Sequence, residues 1–83
     1  MTVRTVEKTD EFIKTFKKID FSLKERVLKQ ITKIIESPEI GKPMRYYRKG
    51  TREAYVPPFR LSYAYVPEED KIIFLALYHK DEQ

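Results

Sequence analysis

The sequence predicts an α+β domain in which a helical hairpin packs on a small, mainly antiparallel β-sheet. The first half of the chain carries apolar residues at helical spacing, whereas the second half is rich in β-branched and aromatic residues that alternate with others. A turn-forming segment, 67–70, separates the last two apolar runs. The expected element order is therefore β-α-α-β-β-β. With 83 residues, the chain is expected to form one domain, 1–83, with a thin core.

The N-terminal part of the chain is predicted to form a short strand and a helix. The strand is expected at Val3–Val6. Thr9 or Asp10 can cap the helix that follows, because the side-chain oxygen of either residue can accept a hydrogen bond from a free backbone amide. The helix is expected to run to about residue 19. Its apolar side chains fall on one stripe: Phe12, Ile13, Phe16 and Ile19.

A second helix is predicted directly after the first. Ser22 and Glu25 have the spacing of a capping box, in which each side chain satisfies a free amide of the first turn. Ser37-Pro38 ends the helix, because proline disfavours helical geometry in the residue before it. The apolar residues between these points recur at helical spacing: Leu23, Val27, Leu28, Ile31, Ile34 and Ile35. The short connection between the two helices predicts an antiparallel hairpin.

Three strands are predicted in the second half of the chain: Glu53–Val56, Phe59–Val66 and Lys71–Tyr78. The last strand is apolar on both faces and should be central in the sheet. Pairing of Val66 with Lys71 across the turn would set the register of the last two strands. Arg60 would then face Leu77, and His79 would lie diagonal to Arg60 on the same face. A register shift of one residue would instead place Arg60 and His79 on opposite faces.

Positive charge is concentrated in one segment of the chain. Between residues 42 and 60, six side chains are positive and only Glu53 is negative, so the segment carries +5 whereas the whole chain carries +4. Aromatic side chains lie among these cations, and such a segment is typical of a surface that binds a polyanion, most often nucleic acid. The positive residues are Lys42, Arg45, Arg48, Lys49, Arg52 and Arg60.

Composition argues against several other classes of protein. The chain has no cysteine, which excludes disulfides and thiolate chemistry, and its single histidine makes a structural zinc site unexpected. The longest apolar run, Ile72–Tyr78, is far shorter than the ~20 residues needed to span a bilayer. The N-terminus lacks an apolar signal core. We therefore expect a cytoplasmic protein without a membrane or a metal as partner.

The predicted elements and three short motifs resemble the RelE/ParE superfamily of bacterial and archaeal toxins. The motifs are Glu36-Ser37-Pro38 at the end of the second helix, Phe59-Arg60-Leu61-Ser62-Tyr63 at the start of the strand Phe59–Val66, and Ile72–Lys80 at the last strand. Each motif is short, so the resemblance depends on their order and spacing. It covers nearly the whole chain and implies a RelE-like fold.

The RelE branch of this superfamily implies a metal-independent endoribonuclease that needs no cofactor and cuts mRNA in the ribosomal A site. Its partners would be the ribosome, mRNA and a cognate antitoxin that holds the toxin inactive. The resemblance implies that Arg60 contacts the reacting phosphate, that His79 acts as general acid, and that Lys80 belongs to the same catalytic group. It further implies RNA binding by the basic segment, namely by Arg45, Arg48, Lys49 and Arg52.

Two departures from the family pattern keep other functions open. No tyrosine follows Tyr78, whereas a C-terminal catalytic tyrosine is common in the family, and Glu53 and Tyr55 occupy a strand on which some members carry paired basic residues. Glu53 could act as a general base or pair with a neighbouring cation. One alternative is the ParE branch, whose members poison DNA gyrase without RNase residues. Another is a degenerate, non-toxic relative that binds RNA or a protein partner.

Overall fold

A computed structural model describes residues 5–43 and 50–79 of the chain. These residues form two helices and a five-stranded mixed sheet. The elements are β1 (Thr5–Lys8), α1 (Asp10–Lys18), α2 (Phe21–Glu36), β2 (Lys42–Pro43), β3 (Thr51–Val56), β4 (Phe59–Val66) and β5 (Lys71–His79), with a 3-10 turn at Pro67–Glu69. The predicted fold class is confirmed. None of the described helices is both long enough and apolar enough to cross a bilayer.

The strands lie in the order β1-β5-β4-β3-β2. β1 pairs with β5 in parallel, and every other neighbouring pair is antiparallel. β5 therefore has a neighbouring strand on each side, as its apolar sequence predicts. The structure adds one strand, β2, whose two residues are too few to give a sequence signal. It also places β1 at Thr5–Lys8, later than the predicted Val3–Val6, of which residues 3 and 4 lie outside the described residues.

The start of α1 is capped by Thr9, as predicted. Thr9 Oγ1 accepts a hydrogen bond from the backbone amide of Phe12 at 3.1 Å and donates one to the carbonyl of Leu75 at 2.6 Å. The Thr9 amide donates to the carbonyl of Phe74 at 3.1 Å. One residue therefore caps the helix and fastens it to β5.

The start of α2 differs from the prediction. Asp20 is the N-cap, and its carboxylate accepts a hydrogen bond from the Leu23 amide at 2.8 Å. The helix consequently begins at Phe21, and Ser22 lies inside its first turn. The predicted capping box of Ser22 and Glu25 is wrong, because Asp20 already caps the helix two residues earlier and Ser22 therefore lies within the first turn.

The core lies between the two helices and one face of the sheet, which we call the inner face. Both helices contribute the apolar stripes that the sequence predicts. The buried apolar side chains are Phe12, Leu23, Val27, Ile31, Ile34, Ala54, Val56, Leu61, Tyr63, Ile72, Phe74 and Leu77. Because successive strand residues point to opposite faces, the residues between these core positions point to the other face, which we call the outer face. Both described helices pack against the inner face.

A buried tyrosine fastens the loop after α2 to the inner face. The Tyr63 hydroxyl donates to the carbonyl of Pro38 at 2.7 Å and accepts from the amide of Gly41 at 3.0 Å. The Arg52 guanidinium donates to the carbonyls of Glu39 at 3.0 Å and Gly41 at 2.7 Å. These four hydrogen bonds hold the loop 38–41 in place ahead of β2.

We expect Tyr63→Phe to lower the free energy of unfolding by about 1–3 kcal/mol at neutral pH, because it leaves the buried Pro38 carbonyl and Gly41 amide unpaired. Burial raises the pKa of the Tyr63 phenol above 10.0, although the hydrogen bond from Gly41 and the charge of Arg52 oppose this shift. A raised pKa in the folded state adds stability that is complete below pH 10 and is lost as the pH rises further. The difference between the two proteins in urea denaturation should therefore shrink in alkaline buffer. A constant difference would contradict this assignment.

Candidate active site on the outer face

Three polar side chains from neighbouring strands meet on the outer face. β3 supplies Glu53, β4 supplies Arg60 and β5 supplies Tyr78. Arg60 Nη1 lies 3.4 Å from Glu53 Oε1, and the Tyr78 hydroxyl donates a hydrogen bond to Glu53 Oε2. One carboxylate thus connects a guanidinium and a phenol. We refer to Glu53, Arg60 and Tyr78 as the outer-face cluster.

Strand register explains why these residues meet. Arg60 pairs directly with Tyr55 on one side and with Tyr78 on the other. Directly paired residues lie on the same face of a sheet, and Glu53 lies two positions before Tyr55 on that face. The three strands therefore bring the cluster together without help from a loop.

The outer-face cluster is accessible but partly shielded from water. The side chain of Arg60 is 35% exposed and that of Glu53 is 21% exposed. A guanidinium presents a planar fork that matches a phosphate, a carboxylate can accept a proton, and a phenol can donate one. Among the residues that the structure describes, no three His, Asp or Glu side chains are grouped as metal ligands.

A cavity of about 400 Å³ adjoins two members of this cluster. It is lined by Gln30, Ile40, Gly41, Lys42, Glu53, Ala54, Tyr55 and Arg60. The cavity lies along β3, and among the described residues β2 pairs only with residues 52 and 53 of that strand. The cluster therefore has space beside it for part of a ligand.

The structure places His79 on the opposite face from Arg60, so the predicted proximity of the two residues is wrong. The register begins as predicted at Val66 and Lys71, but β5 contains a bulge at Leu75. Beyond the bulge, Arg60 faces Tyr78 rather than Leu77, and His79 faces Phe59. The rings of Phe59 and His79 make an edge contact with centroids 5.6 Å apart. The extra residue, Leu75, therefore places Tyr78 on the same face as Arg60 and His79 on the opposite face.

Another predicted site residue, Arg52, is not part of the outer-face cluster. Arg52 is half-buried and donates its hydrogen bonds to the loop 38–41, as described above. Four predicted residues lie outside the described residues: Arg45, Arg48, Lys49 and Lys80. Of the two predicted catalytic residues that the structure describes, Arg60 lies in the cluster and His79 does not.

Sequence reasoning missed Tyr78 and left Glu53 undecided. In the predicted register, Tyr78 points to the face opposite Arg60, so strand alternation argued against a role for it. Glu53 carried a usable signal, because it is the single acid in the basic segment and lies on the strand next to Arg60. The bulge in β5 is needed to bring Tyr78 to the face of Glu53 and Arg60. Regular alternation of side chains along a strand does not reveal such a bulge.

Comparison with known families decides the class of protein to which this cluster belongs. The family model described as "ParE toxin of type II toxin-antitoxin system, parDE" matches residues 6–83. The chain belongs to the ParE toxin family. This ParE-family chain is thus a type II toxin of the RelE/ParE superfamily, as the sequence resemblance indicates. No curated protein matches the sequence significantly.

Several solved toxin structures share the fold of this ParE-family chain. A chain of the intact E. coli RelBE toxin–antitoxin complex matches with a TM-score of 0.81 and 15% identity, covering 93% of this chain and 96% of that one. A chain of the Mycobacterium tuberculosis RelBE2 toxin–antitoxin complex matches with a TM-score of 0.82 and 23% identity, covering 95% and 100%. The YoeB/ParE toxin from Agrobacterium tumefaciens matches with a TM-score of 0.80 and 12% identity, covering 90% and 96%. At these identities the likeness shows the fold alone, which is RelE-like.

Proposed function

We propose that this ParE-family toxin is a ribosome-dependent endoribonuclease that cleaves mRNA and thereby inhibits translation. The observation that carries the proposal is the Glu53 carboxylate, which connects the Arg60 guanidinium and the Tyr78 phenol on the outer face of the sheet. Cleavage of RNA by its own 2′-hydroxyl needs a proton acceptor, a proton donor and positive charge at the phosphate. The outer-face cluster contains one group of each kind.

Each member of the cluster has a role in this reaction. Glu53 removes the proton of the 2′-hydroxyl, whose oxygen then attacks the adjacent phosphorus. Arg60 donates hydrogen bonds to the phosphate oxygens as their negative charge grows. The bond from phosphorus to the 5′-oxygen breaks, and Tyr78 supplies the proton that the leaving oxygen takes up. The products are a 2′,3′-cyclic phosphate and a free 5′-hydroxyl.

In this proposal Tyr78 takes the place of His79 as proton donor, because His79 lies on the inner face. The catalytic role predicted for Lys80 and the RNA contacts predicted for the basic segment remain predictions. Because ribosomes and mRNA are found in the cytoplasm, the proposed reaction would take place there.

The proposal includes a cognate antitoxin as partner. The similar E. coli and Mycobacterium tuberculosis structures are toxin–antitoxin complexes. The helices of this chain also expose apolar side chains, and Phe21 and Leu28 of α2 are 74% and 51% exposed. These two residues are seven positions apart and therefore lie on one side of the helix. Such a surface suits an amphipathic segment of a partner protein.

The direct test uses purified full-length protein, intact ribosomes and a defined mRNA, with cleavage sites mapped by primer extension. We expect cleavage within the codon in the A site. A correctly folded protein that leaves ribosome-bound mRNA intact would refute the nuclease proposal. The same preparation without ribosomes shows whether cleavage depends on them.

The match to the ParE family model favours a second candidate function, inhibition of DNA gyrase without RNA cleavage. A supercoiling assay with purified gyrase tests it on the same preparation. Loss of supercoiling together with intact mRNA would favour this alternative. A protein that is inactive in both assays would be a degenerate relative that binds RNA or a partner.

We expect Glu53→Gln to lower the cleavage rate by about 10²-fold or more, because the amide cannot accept the proton of the 2′-hydroxyl. Glutamine keeps the size of the side chain, so ribosome binding should persist. Primer extension gives the rate, and co-sedimentation with ribosomes gives the binding. Glu36→Gln, at an exposed position at the end of α2, is the matched control. A Glu53→Gln protein with the wild-type rate would exclude Glu53 as the base.

A further inference from the structure

A second basic surface lies on α2, outside the basic segment that the sequence reveals. Arg26, Lys29 and Lys33 recur at a spacing of three and four residues, so they lie on one side of the helix. All three are exposed. Within residues 5–43 and 50–79, none of the three forms an ion pair. Glu25 and Glu36 lie on the same helix, but neither forms an ion pair with these cations, so this side of α2 keeps an excess of positive charge.

These cations border a groove between α2 and the end of β3, which we call the α2 groove. The groove has a volume of about 180 Å³, and Tyr55, Val56 and Pro57 line it from the strand side. Gln30 Nε2 donates a hydrogen bond to the Tyr55 carbonyl at 3.1 Å and so fastens the helix to the strand edge. Tyr55 is 51% exposed. An aromatic ring at this position is available for stacking.

The α2 groove adjoins the cavity beside the outer-face cluster. Gln30 and Tyr55 line both spaces. The three α2 cations span about 10 Å along the helix, given a rise of ~1.5 Å per residue. A ligand that follows the α2 groove past Tyr55 therefore arrives at Glu53 and Arg60. The surface suits a chain with repeated negative charges and flat, stackable groups.

We propose that the α2 groove binds single-stranded RNA. The phosphates contact Arg26, Lys29 and Lys33, and one base stacks on Tyr55. An acidic peptide could neutralise the same cations, but it would leave the exposed aromatic ring between them and the cluster without a matching group. The idea that the strand continues into the outer-face cluster rests on the proposed nuclease function, whereas RNA binding in the groove does not.

Fluorescence anisotropy of a labelled single-stranded oligoribonucleotide with purified full-length protein tests the proposal over a range of salt concentrations. The test variant removes the three cations of the groove: Arg26→Gln, Lys29→Gln and Lys33→Gln. The matched control removes three exposed lysines of α1: Lys14→Gln, Lys17→Gln and Lys18→Gln. Both variants lose the same charge. Circular dichroism checks that each is folded.

We expect the α2 variant to reduce the slope of log affinity against log salt by about 2, since each lost phosphate contact on a single strand contributes ~0.7. The α1 control should leave this slope close to the wild-type value. Tyr55→Ala should weaken binding about tenfold with an unchanged slope, because stacking does not depend on counterion release.

Three outcomes decide the proposal. An equal loss of RNA affinity in the α2 variant and the α1 control would overturn it, because RNA binding would then depend on the net charge of the protein alone. Unchanged RNA binding, together with lost binding of a poly-glutamate probe, would also overturn it and assign the groove to an acidic peptide. A selective loss of RNA binding in the α2 variant would support it even if the wild-type protein cleaves no mRNA, and in that case only the proposed nuclease function would fail.

Discussion

Arg60→Ala is expected to reduce mRNA cleavage in the ribosomal A site by about 10²–10³-fold and to abolish toxicity. The guanidinium is the only positive group of the outer-face cluster, and loss of one preorganised donor to a developing negative charge typically has an effect of this size. Primer extension on ribosome-bound mRNA measures the rate. Growth of cells that express the variant without an antitoxin measures the toxicity.

Two further variants separate the chemistry from folding and charge. Arg60→Lys keeps the positive charge but loses the planar fork, so its rate should fall between those of the wild type and Arg60→Ala. Lys17→Ala removes an exposed charge on α1, far along the chain from the cluster, and should cleave normally. The partly exposed pair of Arg60 and Glu53 contributes at most about 1 kcal/mol to stability, so Arg60→Ala should stay folded. A folded Arg60→Ala protein with the wild-type rate would exclude the outer-face cluster as the active site.

The fold was predictable from the sequence because its main signals are repeated along the chain. Each helix has several apolar residues on one stripe, and β4 and β5 have long runs of strand-forming residues around a clear turn. The bounds of β4, Phe59–Val66, agree with the prediction residue for residue. In contrast, β2 contains two residues, and its position depends on the hydrogen bonds that Tyr63 and Arg52 make with the preceding loop. Such contacts between distant residues leave no local pattern.

The site was only partly predictable because its geometry depends on one bulge. Arg60 was found through the family resemblance, but its neighbours were assigned from regular alternation along β5. The bulge at Leu75 interrupts that alternation, and the Leu75 carbonyl accepts a hydrogen bond from Thr9, which is 66 positions away in the chain. Regular periodicity cannot report a contact between residues so far apart. Because of the bulge, Tyr78 rather than His79 lies on the same face as Arg60.

Gly41 lies where the loop after α2 packs against Tyr63 and β3, and there is no room for a side chain at this position. A Cβ atom at residue 41 would lie 2.6 Å from Tyr63 Oη, 2.9 Å from Tyr63 Cε1 and 3.0 Å from the Glu53 carbonyl oxygen. Tyr63 is fully buried, and its hydroxyl is bonded to the carbonyl of Pro38. The ring therefore cannot move aside without breaking that hydrogen bond and disturbing the core around it.

We expect Gly41→Ala to lower the free energy of unfolding by about 2–4 kcal/mol, because one methyl group overpacks a site bounded by a buried ring and a strand backbone. Urea denaturation followed by circular dichroism measures the change. Gly50→Ala is the matched control. A Cβ there meets no described atom within 4 Å, although its φ of 83° imposes a backbone cost of about 1–2 kcal/mol. If Gly41→Ala lowers the free energy of unfolding by no more than Gly50→Ala does, the loop 38–41 must move to accommodate the methyl group. The hydrogen bonds of Tyr63 would then not hold that loop as rigidly as the structure indicates.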